Sequence, residues 1–174
     1  LIGKAELIDS ISLREYEWIG AKMAPFEAWL LLRSLRTFTV RVKQHQANAK
    51  VVAEFLDQHP KIELVRYPGL DHFDQKELAH QQMTGFTGLM GFQLKTTNLP
   101  SIKKFVNSLQ LFQIGVSWGG HESLIYAPAI SYLKELSPDQ FDALGISLGD
   151  MRISVGLENA QDLIDDLNQA LDGI

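Results

Sequence analysis

Apolar positions change period several times along this chain, and each change marks an element. From Pro25 onward, Phe26, Trp29, Leu30, Arg33, Leu35 and Phe38 begin a pattern that Ala47, Val51, Val52, Phe55 and Leu56 continue. Spacings of three and four predict a helix, and Pro25 suits its first turn, where the missing N–H costs nothing. A pattern from Pro25 to Asp57 exceeds an ordinary globular helix. It either breaks at the β-branched cluster Thr37–Val40 or forms a spine helix joining two domains. Before it, Leu1-Ile2-Gly3 is a short apolar start, followed by a mixed helical stretch to residue 22.

After His59-Pro60 the period drops to two. Ile62, Leu64 and Arg66 alternate with Glu63 and Val65, which predicts a short strand closed by Pro68-Gly69. Asp71 is the expected cap of a helix running to about Gln82, with Asp74 in the capping-box position. Gly85 and Gly88 bound a loop, Leu89–Lys95 reads as a strand, and Pro100 opens a helix facing inward through Ile102, Phe105, Val106 and Leu109. Phe112–Val116 reads as another strand, ending in Ser117-Trp118-Gly119-Gly120. Ser137-Pro138-Asp139-Gln140 is a helix start with its own capping box, and Gly145 ends that helix. Met151, Ile153, Val155 and Leu157 then share one face of the cleanest strand, while Arg152, Ser154 and Gly156 share the other. Asn159 caps a last helix striped by Leu163, Ile164, Leu167 and Leu171. The class is α/β.

Composition narrows the functional classes. The 174 residues are 45% hydrophobic and 21% charged, enough for one domain with a real core. Net charge is −5, from 16 basic and 21 acidic residues, with no basic stripe of the kind nucleic-acid binders carry. The absence of cysteine removes disulfides, thiolate metal sites and thiol nucleophiles, and fits a cytoplasmic protein. The apolar run Ala28–Leu32 stops at Arg33, far short of the roughly 20 residues a spanning helix needs. No signal-peptide pattern opens the chain. It begins at Leu1, directly in apolar sequence, which suggests a piece of something longer.

Two places stand out for chemistry. Arg152 lies mid-strand, away from the large apolar side chains, flanked by Ser154 and Gly156. A guanidinium with space in front of it can take a carboxylate or phosphate bidentately. The same pattern also fits an arginine on a solvated sheet face, paired with some aspartate, and pattern alone favours that second reading. Ser117-Trp118-Gly119-Gly120 is the other place, since paired glycines let backbone approach a ligand. An ordinary loop after a strand fits equally well, and no phosphate-binding fingerprint is present. Glu77 with His80, and His121 with Glu122, lack the partners a metal site requires, so no metal is expected. Asp162 sits in a first helical turn, where acid suits the dipole. Asp165 and Asp166 fall between leucines on the expected wet side, and all three read as structural.

Several stretches together resemble one family. They are Ala24–Thr37, Val40–His45 with Asn48-Ala49, Val65–Leu70, Gly88–Leu94, Val116–Leu124 and Met151–Glu158. In this order and spacing they resemble the C-terminal part of the pyridoxal-phosphate-dependent Cys/Met-metabolism enzymes, the cystathionine synthases and lyases and methionine γ-lyase. The resemblance runs along essentially the whole chain. It implies that Arg152 of the R-x-S-x-G-x-E strand holds the substrate α-carboxylate, that Ser117 lies beside it, and that Trp118 lines the substrate pocket. Trp118 replaces a Leu usual in many members and leans toward the cystathionine β-lyase branch. Ser34 replaces a common Gly, a change expected to affect packing rather than chemistry.

The resemblance also implies what the chain lacks. The Schiff-base lysine, the phosphate-cupping residues, the ring-stacking Tyr and the pyridine-nitrogen Asp belong upstream, and Lys4 would follow the lysine loop rather than be that lysine. Leu1 then reads as a cut just past the cofactor lysine. The expected full-length parent uses pyridoxal phosphate on a sulfur amino acid and assembles as a homotetramer, a dimer of dimers. This chain alone is expected to bind no cofactor and to be inactive. The expected fold is a small, mainly antiparallel sheet with helices on one side. The expected division is 1–57, an N-terminal segment with the long interdomain helix, and 58–174, the substrate-carboxylate-binding domain. A stand-alone, non-catalytic binding domain with the same fold is the alternative.

Overall fold

The computed structural model describes residues 3–20, 22–132 and 135–174, so Leu1 and Ile2 of the apolar start lie outside the described residues. Two compact units divide the chain, Leu1–Thr39 and Val40–Ile174. The first contains α1 (Ala5–Leu13), α2 (Glu15–Ile19) and α3 (Pro25–Leu35). None of these helices buries a residue, and Trp18, Phe26, Trp29 and Leu32 stand exposed. The next helix, α4 (Phe38–Gln58), begins only after a turn at Arg36 and Thr37. The long apolar pattern is therefore two helices, broken at the β-branched cluster. Local hydrogen bonding explains the break. Ser34 Oγ donates to Leu30 O at 2.9 Å, Thr37 Oγ1 donates to Ser34 O at 3.4 Å, and the Arg36 and Thr37 amides reach back only three residues. Such hydroxyl bonds and tightened turns compete with helix propagation.

The second unit continues with β1 (Ile62–Arg66), α5 (Lys76–Gln82), β2 (Leu89–Leu94), α6 (Leu99–Ser108), β3 (Gln113–Ile114) and β4 (Leu124–Tyr126). It closes with α7 (Pro128–Tyr132), α8 (Pro138–Ala143), β5 (Asp150–Ser154) and α9 (Ala160–Asp172). The strands form one sheet in the order β1-β2-β5-β4-β3. Only β3 and β4 pair in parallel, and the other three pairings are antiparallel. The sheet is thus mainly antiparallel, as the resemblance implied, although alternating strands and helices alone suggest a parallel one. The β1–β2 connection shows why, since α5 leaves and returns at the same end of the sheet.

Ala49, Val52 and Leu56 of α4, Ile102 and Phe105 of α6, and Leu163, Leu167 and Leu171 of α9 join Phe92, Met151 and Ile153 in one core. In β1 the buried residues are Ile62 and Val65, while Leu64 is 40% exposed. A register shift between Ile62 and Leu64 resets the pleat there, so simple alternation misplaces Leu64. Asp71 does not cap α5. That helix starts at Lys76 without a side-chain cap, and Asp71 instead accepts from Lys76 Nζ at 2.8 Å, which holds its carboxyl below the ordinary range. The Ser137 capping box and the Asn159 cap form as the sequence predicts. Asp166 is structural but not wet, for its carboxylate is buried under the turn before β3, where it accepts the Gln110, Leu111 and Phe112 amides. Among the described residues no helix is long and apolar enough to cross a membrane.

One core group makes stability depend on alkaline pH. Tyr67 is 1% exposed and donates its hydroxyl to Thr87 O at 3.1 Å, and burial pushes its pKa from 10.0 to about 12. The folded state favours the neutral phenol, so this contribution is complete below pH 10.0 and is lost as pH rises toward about 12. Denaturant midpoints measured across that window should fall, and should fall less steeply in Tyr67→Phe.

Candidate active-site region around Arg152

The strand β5 sets the geometry. Directly across from Arg152 lie Gly91 on β2 and Tyr126 on β4, and Gly91 in turn faces Arg66 on β1. Cross-strand partners share a face, so one row reads Arg66, Gly91, Arg152, Tyr126. Gly91 puts no side chain beside Arg152, while Tyr126 puts a ring there. The guanidinium carbon stands 5.1 Å from the Tyr126 ring centre and 5.3 Å from that of Trp118. Both distances are within cation–π range, and Arg152 Nη2 also donates to the Val116 carbonyl.

The two arginines of this row differ in their partners. Arg66 has an aspartate, with Nη1 3.1 Å from Asp150 Oδ1. Arg152 forms no ion pair among the described residues. The plain reading of a sheet-face arginine balanced by an aspartate therefore describes Arg66 and does not describe Arg152. An uncompensated guanidinium fixed by two rings and one carbonyl keeps donors for an incoming oxyanion.

The 116–123 segment, between β3 and β4, supplies the rest. Ser117 and Trp118 are exposed, Trp118 at 61% with its ring under the Arg152 guanidinium. Gly119 takes φ +75°, a conformation that favours glycine, and its amide donates to Ser154 Oγ at 3.0 Å. The neighbouring Tyr126 hydroxyl raises the pKa of Tyr132 on α7. Arg152 and Trp118 thus come together, with Ser117 in the segment between Trp118 and the Val116 carbonyl that Arg152 holds.

Sequence reasoning missed the side chains beneath this arrangement. Ser123 is fully buried, and its hydroxyl accepts from the Gly156 amide at 2.8 Å and donates to Glu158 Oε2 at 2.9 Å. The Ser123 amide donates to Glu158 Oε1 at 2.7 Å. From α4, Asn48 Nδ2 donates to the Gly156 and Glu158 carbonyls at 3.0 and 2.8 Å, and His45 Nδ1 lies 2.8 Å from Val155 O. The alternation that flagged Arg152 also contains Ser154 and Glu158. Nothing in the sequence pairs Tyr126 with Arg152, because that neighbour comes from sheet order.

These residues suit a carboxylate better than a whole cofactor. Pyridoxal phosphate requires a lysine amine, and among the described residues no lysine is hydrogen-bonded to this cluster. Lys50 pairs with Glu54, Lys76 with Asp71, and Lys61 binds the Leu171 and Ile174 carbonyls. No group of three or more metal-ligating side chains occurs among the described residues.

Comparison with known proteins identifies the family. Residues 3–172 match the Cys/Met metabolism PLP-dependent enzymes. The chain is 42% identical to L-methionine gamma-lyase of Pseudomonas putida over 172 residues, covering 98% of this chain and 43% of that protein. It is 43% identical to cystathionine gamma-lyase of Sus scrofa over 153 residues, covering 88% of this chain and 38% of that protein. A Campylobacter jejuni protein assigned as an O-acetylhomoserine (thiol)-lyase, solved with N'-pyridoxyl-lysine-5'-monophosphate, superposes with a TM-score of 0.84 at 34% identity. That match covers 98% of this chain and 41% of the other. The chain therefore spans less than half the length of the relatives it matches.

Proposed function

Because the chain belongs to the Cys/Met metabolism PLP-dependent enzymes, we propose that it is the substrate-carboxylate-binding part of a C–S lyase or transsulfuration enzyme acting on cystathionine-like sulfur amino acids. The observation that carries this reading is the Arg152 guanidinium, which stands over the Trp118 and Tyr126 rings and has no ion-pair partner among the described residues. Pyridoxal phosphate, bound by the rest of the enzyme, supplies the electron sink. Residues of this chain bind and orient. Arg152 takes the α-carboxylate as a fork, Ser117 lies beside it, and Trp118 lines the substrate side of the pocket. Fixing the carboxylate fixes the rotation of the whole amino acid, which aligns the bond to be broken.

Trp118 supports a cystathionine-type substrate, whereas the identity to methionine gamma-lyase supports methionine as a second reading. Rates of thiol release from the two amino acids separate them. In the proposed full-length enzyme, residues 58–174 form the carboxylate-binding domain, 1–57 lead into it, and the assembly is a homotetramer. Alone, the chain is proposed to lack the Schiff-base lysine and to be inactive. Added pyridoxal phosphate should leave no dialysis-resistant Schiff-base absorption band on the 174-residue chain, and should leave one on the full-length protein. A stable, stoichiometric band on the short chain would contradict the assignment.

A further inference from the structure

We propose that Glu158 is a positioning residue for substrate-carboxylate binding, acting through Ser123 to hold the 116–123 segment against Arg152. This rests on the reading of Arg152 as the carboxylate site. The problem it solves is entropic, since a segment with two adjacent glycines and an exposed Trp118 has many conformations to lose. Ties from five residues of one stretch remove that freedom: the Leu157 amide donates to the His121 carbonyl at 2.8 Å, and the other four come from alternate residues. Arg152 holds the Val116 carbonyl, Ser154 Oγ accepts the Gly119 amide, the Gly156 amide donates to Ser123 Oγ, and Glu158 takes both the amide and the hydroxyl of Ser123.

The last tie is the strongest by its chemistry. Hydrogen bonds to an ionised acceptor are short and exceed neutral ones, and both Glu158 oxygens accept from one residue, at 2.7 and 2.9 Å. Glu158 forms no ion pair among the described residues, so its charge is directed to Ser123. The acid is itself anchored, because its own carbonyl accepts from Asn48 Nδ2 at 2.8 Å. Ser123 in turn has no water to fall back on, being fully buried. Close packing makes the tie specific. A Cβ on Gly156 would stand 2.4 Å from the His121 carbonyl oxygen and 2.6 Å from the Glu122 carbonyl carbon. At Gly156 the stretch therefore lies against the segment with no room for a side chain. Glu158 touches no reacting atom in the proposed chemistry, and its effect reaches the substrate through the placement of Ser117 and Trp118.

Steady-state kinetics of the full-length enzyme with L-cystathionine and L-methionine, normalised to bound cofactor, test this. Glu158→Ala should raise KM about tenfold with kcat changed less than about threefold. Glu158→Gln keeps one acceptor oxygen and should raise KM less. Ser123→Ala, which removes only the hydroxyl, should move KM in the same direction as Glu158→Ala. Arg152→Ala, run in parallel, separates the two ideas. If it raises KM while Glu158→Ala and Ser123→Ala keep the wild-type KM and lower only the melting temperature, Glu158 is structural and the proposal is overturned. If Arg152→Ala itself leaves KM unchanged, the carboxylate reading fails and takes this proposal with it.

Discussion

Replacing Arg152 with alanine in the full-length enzyme is expected to raise KM for its sulfur amino-acid substrate by about a hundredfold. Truncating one side of a hydrogen-bonded, partly desolvated charge pair costs about 2–5 kcal/mol, and about 1.4 kcal/mol corresponds to a factor of ten. The lower half of that range is appropriate, because Arg152 is half-buried and solvent reaches the remaining carboxylate. Arg152→Lys should fall between the two, keeping the charge but losing the planar fork and its contact with the Trp118 and Tyr126 rings. The alanine variant should also release the Val116 carbonyl, loosening the segment that carries Ser117 and Trp118. Measured KM and kcat for both variants check the expectation. A KM within threefold of wild type in Arg152→Ala would remove Arg152 from this role.

The second large effect is on stability. Asp166 is 5% exposed and accepts three consecutive amides, from Gln110 and Leu111 at 2.8 Å and from Phe112 at 3.2 Å. Gln169 Nε2 adds a fourth donor at 3.1 Å. These amides form the turn between α6 and β3, where no regular ladder satisfies them. Removing the carboxylate strands several donors at once, and each buried unpaired group costs about 1–3 kcal/mol. Asp166→Ala should therefore destabilise the chain by about 3 kcal/mol, allowing for water entering part of the site. Asp165, one residue away and exposed, accepts from Gln161 Nε2 at 2.9 Å, so Asp165→Ala should stay within about 0.5 kcal/mol. Denaturant midpoints with unchanged slopes, measured on both variants of the 174-residue chain, check this contrast.

Legibility in the sequence followed the range of the interaction. Local devices could be read directly, as with the Ser137 capping box, the Asn159 cap and the apolar stripe of α9, because their partners lie within four residues. Arg152 could be singled out from strand alternation, since its nearest neighbours on that face are small. Its resolution into an unpaired guanidinium needed Gly91 and Tyr126 beside it, and Trp118 over it, which depend on the order β2-β5-β4. Asp166 was legible as structural and not as buried. The turn that buries it lies 54 to 56 residues away in sequence. Leu64 was misplaced by a register shift that no local pattern encodes. Ser123, Glu158 and Asn48 escaped for the same reason, since each carries its meaning in long-range partners.

The proposed role of Arg152, binding the carboxylate of an amino-acid substrate, is open to a binding cycle. Dissociation constants of L-methionine and its carboxamide would be measured on the full-length wild-type enzyme and on Arg152→Ala. The carboxamide should bind wild type about a hundredfold more weakly than the acid, and the difference should shrink below about threefold in the variant. An acid–amide difference of the same size in both proteins would contradict it.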